Sequence, residues 1–329
     1  MSRILVTGGA GYIGSHTVHF LLQAGHDVTV LDDLSKGYAH NVPADLLVRV
    51  SLHDREGLRR VFAAGRFDAV IHFAAFIAVG ESVREPERYF HNNVGGSLNL
   101  LEAMREAEVR RIVFSSTAAV YGTPDTVPIP EDAPKRPVNP YGESKLMIEM
   151  VLQWLNQCGS LRYIALRYFN ACGAEPRFGI GEEHEPETHL IPLILRAIRS
   201  GQPLTVFGNR YPTPDGTCIR DYIHVSDLAN AHLAALNHLL NGGKSKYYNC
   251  GTGKGFTVLE VIRAAERVTG RSVPFVYGDV REGDPAALVA DSKMIQDELG
   301  WIPKYTTLEE IIASAWAFEQ ARHSPVPAG

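Results

Sequence analysis

Thr7-Gly8-Gly9-Ala10-Gly11-Tyr12-Ile13-Gly14 is the most informative stretch of the chain. It follows the short aliphatic run Ile4-Leu5-Val6 and opens a helical pattern from Ile13 to Ala24, so it reads as a strand–turn–helix corner. Gly8 permits the tight turn, Gly11 lets backbone approach a pyrophosphate, and Gly14 lets the helix pack closely on the sheet. The helix start then presents free N–H groups to phosphates. Glycines also mark plain turns, so the string gains its meaning from context. Asp32 ends the next apolar run, 18 residues after Gly14. Its carboxylate is placed to accept both ribose hydroxyls of an adenosine and to repel a 2′-phosphate. The expected cofactor is therefore NAD, with Asp33 able to help.

Working outward, Val28 to Leu31, Leu46 to Val48, Ala69 to Ile71, Ile112 to Phe114 and Tyr163 to Leu166 are short, aliphatic and not alternating. That pattern belongs to parallel strands covered on both faces. Helical patterns at Asn93 to Ala107 and Tyr141 to Leu155 lie between them, which implies right-handed crossovers and a doubly wound parallel sheet. After about residue 170 the texture changes. Gly, Pro, Glu and His crowd positions 173 to 189, a long loop, and helices return at Leu190 to Arg199, Val225 to Leu240, Thr257 to Val268 and Leu308 to Phe318. The expected division is a dinucleotide-binding domain over 1–170 and a smaller α/β substrate domain over 171–329, with some of its segments packing back on the first. The tail from Ser324 is expected to be frayed.

A second constellation carries chemistry. Tyr141 and Lys145 stand at i and i+4, on one face of a helix whose first turn suits Pro140. An ammonium beside a phenol favours phenolate, which would lower the tyrosine pKa toward that of a general base. Phe114-Ser115-Ser116-Thr117 ends the fifth strand, and ligands bind at the carboxyl ends of parallel strands. A hydroxyl there can hydrogen-bond a reacting oxygen beside Tyr141.

Composition excludes other classes. With 32 basic and 37 acidic side chains the net charge is −5, against the basic face of a nucleic-acid binder. No apolar run approaches the roughly 20 residues of a membrane span, and the N-terminus has no signal-peptide pattern. Cys158, Cys172, Cys218 and Cys250 are scattered, which reads as free thiols in a reducing, cytoplasmic setting.

Taken together, these motifs resemble the extended short-chain dehydrogenase/reductases, and within them the branch that epimerises UDP-hexoses at C4. The similarity runs from Ile4 to about Trp316 and includes Gly8 to His16, His72 to Ala75, Val79 to Ser82, Tyr141 to Lys145, Arg167 to Asn170, Gly216 to His224 and Arg281 to Asp284. The resemblance implies an isomerase that interconverts UDP-glucose and UDP-galactose with bound NAD. In it Tyr141 would handle the proton of the sugar 4-hydroxyl, Lys145 would hold the nicotinamide ribose, and Thr117 would supply the strand-end hydroxyl. Ser115 would lie near nicotinamide and sugar. Tyr12, Ile13, Phe73, Ala74, Ala75, Asn92 and Tyr168 match cofactor positions. Ser51 and Leu52 stand where an Asp-Ile pair meets the adenine, and Ile77 where a lysine often reaches the cofactor. These departures imply weaker or differently tuned NAD retention.

On the substrate side the resemblance assigns Arg220 and Arg281 to the diphosphate, Asp284 to a ribose and Phe207, with Thr205 near it, to the uracil pocket. Phe169, Asn170 and Leu190 fall near the sugar and nucleotide. His189 replaces a common asparagine and can still donate to a phosphate. Leu288 aligns with the gate for the sugar 2-position, where its size favours plain hexoses over N-acetyl sugars; as a strand residue it could equally be core. Without the resemblance, Arg220-Asp221 would read as a structural ion pair.

Alternatives on the same scaffold are UDP-N-acetylglucosamine or UDP-glucuronate epimerisation and nucleotide-sugar dehydration. Ala118-Ala119 follow Thr117, where dehydratases carry an Asp-Glu pair. A non-catalytic NAD-binding regulator would have lost the Tyr–Lys pair. Metal is not expected: Glu182, Glu183, His184, Glu185, Glu187 and His189 lie in a Gly/Pro-flanked loop that promises little fixed geometry. The resemblance also implies a homodimer through Asn93 to Ala107 and Tyr141 to Leu155, and no nucleic-acid or membrane partner.

Overall fold

The computed structural model describes residues 1–280 and 285–323. The first half runs β1 (Arg3–Thr7), α1 (Tyr12–Gln23), β2 (Asp27–Asp32), β3 (Leu47–Arg49), α2 (Arg55–Gly65), β4 (Ala69–His72), α3 (Val79–Arg84), α4 (Pro86–Tyr89), α5 (Gly96–Glu106), β5 (Arg111–Thr117), α6 (Pro140–Gln157) and β6 (Arg162–Tyr168). The second runs β7 (Asn170–Cys172), α7 (Leu190–Ser200), β8 (Leu204–Phe207), β9 (Ile219–His224), α8 (Val225–Leu240), β10 (Lys246–Cys250), β11 (Gly255–Thr257), α9 (Val258–Thr269), β12 (Phe275–Gly278), β13 (Ala287–Leu288), α10 (Lys293–Leu299) and α11 (Leu308–His323).

Seven parallel strands form the main sheet in the order β10-β6-β5-β4-β1-β2-β3. The aliphatic runs alternate between two core layers, as doubly covered strands must. Ile4, Val6 and Ile71 face one layer with Val18 and Leu228; Leu5, Val70 and Phe114 face the other with Leu58 and Leu152. The strand order reverses between β1 and β4, which opens a crevice at their carboxyl ends. Leu46 lies in a 3₁₀ turn just before β3, and the helical pattern from Asn93 begins earlier, in a π-helical stretch from Phe90 to Gly95 that joins α4 to α5. Sequence patterning did not separate this stretch, because a π turn keeps helical spacing while widening one loop of the ladder.

Three segments of the second half, β10, α8 and α10, belong physically to this sheet and its core, α10 resting on β10 with Ile295 buried there. β10 adds beside β6, and α8 packs along α1, its Leu228, Ala231 and Ala235 buried in the same core as Ile4. The rest builds a smaller unit: β7, β9, β11 and β13 in one sheet, β8 paired with β12, and α7, α9 and α11 around Ile194, Val261 and Ile312. The tail from Ser324 lies outside the described residues.

Candidate active site

The glycine corner is closed by its own backbone. Gly8 has φ +69° and donates its N–H to the Leu31 carbonyl at 2.8 Å. A methyl group on Gly14 would sit 2.2 Å from the Gly8 carbonyl oxygen, so only glycine lets α1 approach this turn. No side chain caps the start of α1 at Gly11, which leaves an N-terminus suited to an anion at Tyr12 and Ile13. Asp32 is buried at the end of β2, where it accepts the Ala10 N–H at 3.0 Å and the Leu34 N–H at 2.9 Å. Burial raises its pKa above the usual carboxylate value. Asp33 is half-buried and accepts the Ser35 N–H.

Across the crevice, the Phe73 and Ala74 N–H groups both donate to the Thr7 carbonyl, and Ala75 continues that loop. Leu52 is buried, with its carbonyl held by Asn99, and Ser51 turns back on the His53 N–H. Ile77 is 44% exposed. Asn92 donates to Asn93. Asn93 is the residue that patterning missed: fully buried, it accepts from Phe76 N–H, donates to the Phe76 carbonyl and donates to Ser144 at 3.0 Å. It thereby ties the loop after β4 to α6 one turn beyond Tyr141. Its only sequence signal was the Asn92-Asn93 pair.

Helix α6 delivers the candidate catalytic groups because its start is fixed. Asn139 accepts the Gly142 N–H at 2.9 Å and Pro140 sits in the first turn. Tyr141, Thr117, Ser115 and Lys145 are all buried at the carboxyl end of β5. Lys145 donates from Nζ to the Ser115 carbonyl at 2.8 Å, and Tyr168 closes on the Ser115 hydroxyl. The expected acidification of the phenol is not what the protein alone produces. Burial pushes Tyr141 up to about 12, and a hydrogen bond with Thr117 opposes the rise. Burial also pulls Lys145 down to about 7, with the Glu149 carboxylate opposing. Removal from water dominates both shifts, and the Lys145 ammonium is engaged with the Ser115 carbonyl.

Behind this face lies a buried ion pair. Arg167 bonds both Glu149 oxygens at 2.8 and 2.6 Å, Ser116 donates to the same carboxylate, and Tyr121 takes a further Arg167 N–H. The polar links run from β5 through β6 to α6.

The substrate-side residues lie on the second unit. Arg220 is buried on β9 and donates to the Ile219 and Pro285 carbonyls. It does not pair with Asp221, which points to the opposite face and accepts from Thr252, Gly253 and Ala290. Leu288 pairs with Arg220 in register and packs with Phe169 against Ala118, Val120 and Tyr121. Asn170 begins β7, and Leu190 begins α7. Thr205 and Phe207 share the exposed face of β8, opposite buried Leu204 and Val206. Arg281 and Asp284 fall outside the described residues. His189, at the N-cap of α7, has its Nδ1 engaged with Glu182.

Residues 4–251 match the model of the family described as "NAD dependent epimerase/dehydratase family". The chain is 51% identical to a UDP-glucose 4-epimerase of Halalkalibacterium halodurans over 95% of its length and 94% of the relative's. A UDP-glucose 4-epimerase of Brucella ovis, solved in complex with NAD, superposes with a TM-score of 0.93 at 44% identity, covering 96% of this chain and 98% of that one. The UDP-glucose 4-epimerase of Bifidobacterium longum in complex with NAD+ and UDP gives 0.91 at 38% identity, covering 98% and 99%. With the doubly wound sheet, the glycine corner and the Tyr–Lys helix in place, the chain belongs to the NAD-dependent epimerase/dehydratase family.

Proposed function

We propose that the chain interconverts UDP-glucose and UDP-galactose by reversible oxidation at C4 of the hexose. One observation carries the reading: Tyr141, Thr117 and Lys145 converge at the carboxyl end of β5, in a family whose relatives at about half identity are UDP-glucose 4-epimerases. The corner fits a dinucleotide, because the uncapped start of α1 and the glycine packing leave backbone N–H groups for a pyrophosphate. Gly11, Tyr12 and Ile13 would hold that group, Asp32 the adenosine ribose and Lys145 the nicotinamide ribose. When bound, NAD supplies a hydride acceptor and a positive charge on its ring.

Tyr141 takes the proton of the 4-hydroxyl as C4 is oxidised, and returns one when the ketone is reduced on its other face. Thr117 hydrogen-bonds Tyr141 and favours its phenolate. Arg220, already held by two carbonyls, offers its guanidinium to the substrate diphosphate. Leu288 and Phe169 form an apolar wall that favours plain hexoses over N-acetyl sugars.

We also infer a homodimer. Leu98 on α5 and Met147, Met150 and Trp154 on α6 are 47%, 39%, 52% and 65% exposed, an apolar stripe suited to a second copy. The four free thiols, three of them buried, suit a reducing cytoplasm.

Purified protein given UDP-glucose, UDP-galactose, their N-acetyl forms and UDP-glucuronate, with products resolved by chromatography, tests the reading. Plain hexoses should turn over fastest, and Tyr141→Phe should lose about 10²–10⁴-fold in kcat. Unchanged turnover in that variant would remove Tyr141 as the proton-transfer group, and equal rates on acetylated sugars would remove the role of Leu288.

A further inference from the structure

Outside the dinucleotide corner, a close group of titratable side chains lies in the loop between β7 and α7. Glu182, His184, Glu187 and His189 offer one ligand atom each, all within 4.8 Å of one another. His184 Nδ1 lies 3.4 Å from Glu182 and 3.6 Å from Glu187, and His189 Nδ1 lies 3.8 Å from Glu187 while closing on Glu182. Bonds of about 2.0–2.2 Å to a tetrahedral zinc ion separate its ligand atoms by about 3.4 Å. The His184–Glu182, His184–Glu187 and His189–Glu187 edges lie at or a little above that spacing.

The geometry is also held. Tyr12 donates to the Gly173 carbonyl at 2.6 Å, and its ring meets His184 edge-on at 6.2 Å. Glu175 and Ile180 bridge the loop to itself. A methyl group on Gly181 would collide with the Phe318 ring, so the loop lies flat on α11. Glu183 turns away to His40 and Arg322. The flanking Gly and Pro residues thus do not leave the cluster loose, which removes the objection drawn from sequence.

Charge fits the same reading. The Glu182 and Glu187 side chains are 5% and 4% exposed, and two nearly dry carboxylates require two positive charges close by. One divalent cation with two neutral imidazoles supplies them as well as two imidazolium ions do. The His184 and His189 side chains, 20% and 40% exposed, leave a path for an ion. Two nitrogens and two oxygens form a donor set that suits zinc.

We propose that Glu182, His184, Glu187 and His189 bind one zinc-like divalent cation in four-coordinate geometry, pinning the loop against Tyr12 of the cofactor turn. This is a structural site, apart from the hydride chemistry.

The test uses the full chain, stripped with chelator, in a Cys158→Ser background because that thiol is exposed. Zinc is titrated against a chromophoric chelator. The expected result is one equivalent per chain, weakened at least about a hundredfold by His184→Gln and unchanged within about threefold by Glu183→Gln. Cobalt(II) should give the intense visible bands of a four-coordinate ion. Zinc uptake by the parent no tighter than by His184→Gln would overturn the site. If that variant fails to fold, the parent's cobalt spectrum decides: the pale absorption of six-coordinate cobalt would overturn the proposal, and intense bands would uphold it.

Discussion

At the scale of single residues, the Tyr141 phenol and the Lys145 amine show how burial competes with charge. Both were legible as a pair from their spacing, but the direction of their pKa shifts was not, because desolvation depends on what covers them. Thr117 is the group that opposes the rise of Tyr141. Replacing it by valine removes that hydrogen bond while nearly keeping shape. Thr117→Val should lower kcat by about tenfold to a hundredfold and move the rising limb of the kcat–pH profile to higher pH, since a less stabilised phenolate forms later. A profile that stays in place would show that Thr117 does not tune Tyr141. Asn93 was illegible for a related reason: a lone buried amide becomes meaningful only when Phe76 and Ser144, far apart in sequence, arrive at its two ends.

At the scale of elements, the helices are positioned by contacts that a substitution can break one at a time. Gly14 lets α1 lie on the turn, and Gly14→Ala would drive a methyl into the Gly8 carbonyl. It should cost at least about 2 kcal/mol in stability and weaken dinucleotide binding by more than tenfold, read by denaturant unfolding and fluorescence titration. The Arg167–Glu149 pair joins β6 to α6 with neither side chain exposed beyond 2%. Arg167→Met alone should cost about 3–5 kcal/mol, since it strands a buried carboxylate, whereas adding Glu149→Leu should recover most of that loss. The double variant should still be slow in turnover, because Glu149 is the charge that supports the Lys145 ammonium. Equal stability of the two variants would mean that the lone carboxylate is already satisfied by Ser116 and its surroundings.

At the scale of the whole molecule, His16, His72, His224 and His232 are buried, and burial pulls them down to about 4, 3, 3 and 4. Below their ordinary value of 6.5 the unfolded chain takes up protons that the folded chain refuses. The stability that these four histidines contribute is thus complete above about pH 6.5 and falls as pH drops toward 4, by up to about 1.4 kcal/mol per pH unit for each. Among the described residues, His232 Nε2 has no hydrogen-bond partner, so His232→Leu should keep the fold and flatten that slope by about one proton. Guanidinium unfolding at pH 7, 6 and 5 measures it, and an unchanged slope would contradict the assignment. The sequence by itself determined the doubly wound sheet, the glycine corner with Asp32, and the Tyr141–Lys145 helix. These rest on periodicity and on spacings within one strand, turn or helix, which local sterics impose. Only the tertiary structure decided that β10, α8 and α10 complete the first sheet and its core, that Arg220 and Asp221 part to opposite faces of β9, and that four residues of a long loop converge into one donor set. Each depends on burial and on distances between segments remote in the chain, and no local pattern encodes those.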